Sequence, residues 1–153
     1  MTISTKILLV ELVMSIDRMI ESAKVAQVKQ AQAKPGEWNP ATVLGHVSQV
    51  DELVWLPRAQ LMVNAKNDSA EEPEFAWWEP DPIATAEKFS NLGLDEVSAA
   101  TMQSRTKLVT YLNTLSAKQW DARAKHATFG SIDVRELIFQ TLTHDEEHRA
   151  SFV

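Results

Sequence analysis

From Leu8 to Ala23 the apolar residues fall at Leu8, Leu12, Ile16, Met19, Ile20 and Ala23, the spacing of one face of an α-helix. Glu11, Ser15, Arg18 and Ser22 fall on the opposite side. The same period returns in Val43, His46, Val47, Val50, Leu53, Val54 and Leu61, and again in Leu94, Val97, Thr101, Leu108, Leu112 and Leu115. A last stripe runs Val134, Leu137, Ile138 and Thr141. Alternation of the kind a half-buried strand needs is nearly absent, and the chain has only 4 Gly. Such a chain buries its apolar stripes by packing helix on helix. The expectation is an all-α fold, an antiparallel four-helix bundle formed as one domain over residues 1–153.

The punctuation agrees. The first helix spans about Ser4 to Gln32 and stops at Pro35-Gly36. The second opens with Asn39 as N-cap and Pro40 at the first helical position, where no hydrogen bond is lost. Pro57 is expected to kink or fray its end. The acidic, proline-rich stretch from Lys66 to Pro82 reads as a loop whose Phe75, Trp77 and Trp78 fold back on the bundle. A short helix over Ile83–Leu92 precedes the third long one, Leu94–Leu115. Ser116 to Gly130 reads as another loop, and the last helix starts at Ser131 as N-cap with Asp133 in its first turn.

Charge and composition exclude several functions. The net charge of −6 and the lack of any basic run argue against nucleic acid as a partner. No stretch approaches the roughly 20 apolar residues of a membrane span, so a cytoplasmic protein without a membrane partner is expected. With no cysteine, disulfides, thiolate metal sites and a cysteine nucleophile are ruled out.

The histidines carry the functional reading. Continued past Thr141, the inner stripe of the last helix meets His144, Asp145, His148 and Phe152. Two histidines four apart stand one above the other on one helix face. His46 lies in the inner stripe of the second helix. Three imidazoles facing one apolar bundle are costly unless something accepts their lone pairs, and a divalent metal does so. Three nitrogen ligands leave a fourth position open, as in catalytic sites. Imidazole ligation suits Zn, Ni, Cu or Fe, and the spacing does not choose among them; zinc or nickel is the expected ion.

The segments "WNPATVLGH" (Trp38–His46), "FGSIDVREL" (Phe129–Leu137) and "HDEEH" (His144–His148), in that order, resemble the DinB/YfiT family and within it the DinB_2 branch. The resemblance implies a metal held by His46, His144 and His148, the three residues that the helix faces select. It also implies, for some members, transfer of a low-molecular-weight thiol such as bacillithiol or mycothiol. Metal-dependent hydrolysis of a small-molecule substrate is the rival within the enzyme class, and a non-catalytic dimeric binding bundle the alternative outside it.

Around the ligands, Asp145 reads either as the partner of a histidine or a general base, or as a salt-bridge residue. Arg105, on the inner stripe of the third helix, is the candidate for an anionic substrate or a thiol cofactor's carboxylates, against a snorkelling stem. Asp51, Glu52, Glu146 and Glu147 read as facing away, and His126 as a surface loop residue, with an approach to the mouth of the site as the alternative. Phe139, Leu142 and a broad apolar first helix point to a homodimer.

Overall fold

A computed structural model describes residues 4–29 and 37–152. Helix α1 runs Thr5–Lys29 and buries Leu8, Leu12, Ile16, Met19 and Ala23 of the expected stripe; Ile20 is half-buried, and Ser15, expected on the opposite face, is buried, where its hydroxyl donates to Asp145. Its expected tail to Gln32 and the Pro35-Gly36 stop lie outside the described residues.

Helix α2, Pro40–Val50, begins as read: the Asn39 side chain accepts from the Thr42 amide at 2.9 Å. The same side chain donates to the Ser90 carbonyl at 2.9 Å, which ties the start of α2 to the end of α4 (Pro82–Phe89). Gly45 allows this approach, because a Cβ there would lie 2.2 Å from the Phe89 ring.

Pro57 acts earlier than expected. Residues Asp51–Trp55 form a π-helical turn, in which the Leu56 amide donates to the Asp51 carbonyl, before helix α3 resumes over Leu56–Asn67. The wider turn accommodates a residue that has no N–H and whose ring would crowd the carbonyl four residues back. It also shifts the inner face. Val50, Asp51, Val54 and Trp55 turn inward, and the expected core residues Leu53 and Leu61 are 58% and 53% exposed.

The long helices α5 (Leu94–Asn113) and α7 (Val134–Ala150) complete the bundle, with a one-turn α6 at Ala117–Trp120. The N-cap of α7 is Asp133, whose carboxylate accepts from the Glu136 amide at 2.9 Å. Ser131 sits in a strand instead, which corrects the expected helix start.

A small sheet was not foreseen. β1 (Glu74–Phe75) pairs in parallel with β2 (Arg123–His126), and β2 pairs antiparallel with β3 (Gly130–Asp133). Gly130, at φ +75°, supplies the left-handed turn between β2 and β3. The sheet joins the two stretches read as loops and holds Phe75 and His126 beside the bundle.

Two apolar clusters fill the interior. One gathers Leu8, Leu12, Val54, Leu108, Leu112, Leu137 and Ile138. The other gathers Ile16, Met19, Leu44, Val47, Phe89 and Val97. A set of polar residues is buried with them: Ser15 on α1, Asp51 in the π turn, Ser104 and Arg105 on α5, and Asp145 on α7.

Candidate metal centre

Arg105 sits at the middle of that polar set, fully buried. Its Nε and Nη2 donate to Asp51 at 2.8 and 3.0 Å, and its Nη1 and Nη2 to Asp145 at 2.7 and 2.9 Å. Nη1 also donates to the Leu12 carbonyl at 3.0 Å, and the Ser15 hydroxyl donates to Asp145 at 2.8 Å. All five N–H groups of the guanidinium are thereby engaged. Arg105 thus joins α1, the π turn, α5 and α7, and the two carboxylates hold it charged, well above its usual range, against the opposing effect of burial.

Three sequence readings change here. Arg105 has no donor left for an anionic substrate or a thiol cofactor. Asp145 takes the salt-bridge alternative, because its oxygens face Arg105 and Ser15 and none accepts from an imidazole. Asp51 is buried in the same network, where it had been read as facing away.

Next to this set, His46 comes from α2 and His144 and His148 from α7. Their Nε2 atoms converge, 3.1 Å between His46 and His144 and 3.2 Å between His144 and His148. One ligating nitrogen from each lies within 4.8 Å of the others. Two imidazole nitrogens, each about 2.05 Å from a tetrahedral zinc, would be roughly 3.3 Å apart, close to both spacings. Burial, with the neighbouring imidazoles, holds His46 and His144 down to about 3, so both present neutral lone pairs at neutral pH. Burial lowers His148 as well. Close spacing, neutral rings and an all-nitrogen donor set fit a divalent transition-metal ion.

The rings are oriented by packing. Nδ1 of His46 and of His144 is buried without a partner among the described residues, where ligating histidines commonly have a carboxylate or carbonyl. Trp38 and Trp78 flank His46 at 5.1 and 6.4 Å between ring centroids, and Trp38 stacks on His148 at 6.5 Å. Trp55, turned inward by the π turn, meets His144 edge-on at 5.9 Å. Trp38 is itself fixed by a hydrogen bond from its Nε1 to the Pro82 carbonyl at 3.1 Å.

The histidines form one wall of a cavity of about 430 Å³. Its other walls include Trp38, Trp55, Trp77, Trp78, Phe129 and Arg58. His126 also lines it; only 5% exposed, it is not the surface residue expected, and its Nδ1 accepts from the Thr128 amide at 3.0 Å. Glu147, read as facing away, is exposed but lies on the cavity rim. Trp38, Trp55 and Arg58 were not legible as wall residues, since Trp38 is placed by its bond to the distant Pro82 carbonyl, Trp55 by the π turn, and Arg58 by that turn and its contacts with Phe75 and Ala76.

A sequence model of the DinB superfamily matches residues 11–151. Among solved structures the chain is similar to YfiT from Bacillus subtilis, described as a probable metal-dependent hydrolase with an unusual four-helix bundle topology. The two share 18% identity at a TM-score of 0.73, over 97% of this chain and 85% of that one. No curated protein matches the chain.

Proposed function

The chain belongs to the DinB superfamily, and from that footing we propose that it is a metal-dependent enzyme whose divalent ion is held by His46, His144 and His148. The observation that carries this reading is the convergence of three imidazole Nε2 atoms on the wall of an aromatic cavity. An ion held there supplies Lewis acidity, which brings a protic nucleophile into its reactive form near neutral pH. The chain's own residues do the rest. Trp38 and Trp78 exclude water from the histidine end, and Glu147 offers a carboxylate on the rim to take the nucleophile's proton.

The leading reaction is transfer of a low-molecular-weight thiol to an electrophile, with the sulfur displacing a leaving group. The chain has no cysteine, so the thiol comes from outside. Hydrolysis is the second reading, favoured by the description of the structurally similar YfiT as a metal-dependent hydrolase. A second copy of the chain is the proposed protein partner, across the exposed Ile7, Val10 and Met14 of α1 and Phe139 of α7.

Elemental analysis of untagged protein tests the metal. One equivalent of a transition metal per chain is expected, lost in both His46→Ala and His144→Ala. Wild type that takes up neither zinc nor nickel on titration would sink the reading. The loaded enzyme is then assayed with 1-chloro-2,4-dinitrobenzene with and without thiol, and with a nitrophenyl ester. Turnover that requires thiol identifies the transferase, and thiol-independent ester cleavage the hydrolase.

A further inference from the structure

Two residues of the cavity wall keep hydrogen-bonding capacity that the fold does not use. The first is Trp55, through its indole N–H. The residue is 8% exposed, it lines the cavity, and its Nε1 is buried with no hydrogen-bond partner among the described residues. A buried donor without an acceptor is costly, and buried polar groups in folded proteins are as a rule paired. The second is Arg58, one helical turn further on. Its guanidinium lies over the Phe75 ring at 4.8 Å and donates once, to the Ala76 carbonyl at 2.6 Å. Among the described residues no carboxylate pairs with it. A half-buried guanidinium with unused N–H groups is suited to a two-pronged contact with a carboxylate.

Most of the remaining wall is aromatic and apolar, with Gln140, His126 and two glutamates as its other polar residues. Trp77 and Phe129 lie 6.1 Å apart, and Trp38 and Trp78 stand over the histidines. Such surfaces match the face of a ring. The acidic residues of the lining, Glu79 and Glu147, are both exposed, and Glu79 already accepts from the Trp77 indole at 3.0 Å. Among the described residues, Arg58 is therefore the one cation of the lining and is less exposed than either glutamate.

We propose that the cavity binds a planar organic carboxylate: the ring lies against the tryptophan walls, Trp55 among them, and the carboxylate is received by the Arg58 guanidinium. This deepens the function proposed above by naming the class of its small-molecule substrate, and it rests on that reading only for the substrate's role. Binding itself needs no metal. The π turn then has a task in the site, since it is what brings Trp55 inward one turn before Arg58.

Benzoate is the probe. Indole N–H resonances of nitrogen-15-labelled, metal-free protein are followed by NMR during titration, with Trp55→Phe assigning the Trp55 signal. Benzoate is expected to shift that signal and to bind more tightly than acetate, which has no ring. Arg58→Gln is expected to weaken benzoate by about 10- to 100-fold, as loss of a charge-assisted contact does, and to leave neutral benzamide unchanged. A Trp55 signal that does not move, or equal benzoate affinity in Arg58→Gln, overturns the proposal. Zinc titration of the same samples reads the metal separately. Benzoate binding without zinc uptake upholds this pocket and removes the metalloenzyme reading; zinc uptake with no benzoate shift does the reverse.

Discussion

Arg105 on α5 and Asp145 on α7 form a two-pronged ion pair, 2.7 and 2.9 Å, in which both carboxylate oxygens are bound. Asp145 directly follows His144, so the pair sets the rotation of α7 that presents His144 and His148 to the cavity. The ion pair thus lies on the structural side of the site, one residue from its chemistry.

Removing one partner from a buried network leaves uncompensated charge. Arg105→Met should lower unfolding free energy by about 3–5 kcal/mol, read by urea denaturation. Arg105→Lys keeps the charge without the five-donor fork and should fall between the two. A Met variant as stable as wild type would show that the network contributes nothing to the fold.

Asp51 gives the network a dependence on pH. Burial lifts its carboxyl from 3.8 to about 6, against the pull of Arg105. With the folded pKa above the unfolded one, the folded chain binds more protons in that window. The stability owed to Asp51 is then full below about pH 4 and is lost as pH rises through 6. The stability gap between wild type and Asp51→Asn should narrow in that direction. A gap that widens with rising pH would mean that the attraction of Arg105 outweighs desolvation.

Because two of the ligands are held neutral near pH 7 by burial, removal of metal should leave the bundle folded. Zinc at a hundredfold excess over its Kd should add about 2.7 kcal/mol, a rise in Tm of roughly 5–10 °C. His144→Ala should show no such rise. A chain that unfolds on chelation would make the site structural.

At Gly45 an added methyl would meet the Phe89 ring near its root, at 2.2 Å, so the ring must move as a whole. Gly45→Ala should cost about 1–3 kcal/mol despite alanine's better helix propensity. Thermal unfolding of the variant checks this, and equal or higher stability would mean that α4 yields easily.

Sedimentation equilibrium tests the proposed partner copy. Wild type should sediment as a dimer, and Val10→Lys, which places a charge among exposed apolar residues, as a monomer. A monomeric wild type at micromolar concentration removes the dimer.

What the chain order alone decides is whatever repeats at the helical period or sits at a helix end. The buried faces of α1 and α5 and the cap at Asn39 were legible in this way, as were the inward histidines. Period and capping are local, so neighbours in sequence suffice to read them. The DinB motifs were legible too, because they combine those local features.

Other features needed distant partners. The strand pairing of Phe75 with His126 joins two stretches that read as loops, since strands of two to four residues have too little alternation to register. The inward turn of Asp51 and Trp55 follows from one wide turn, which an ideal period misplaces. Only tertiary structure could decide that Arg105 and Asp145 spend their hydrogen bonds on each other and not on a ligand. A charged residue on an inner face must find a partner, and the partner's identity is set by helices far apart in sequence.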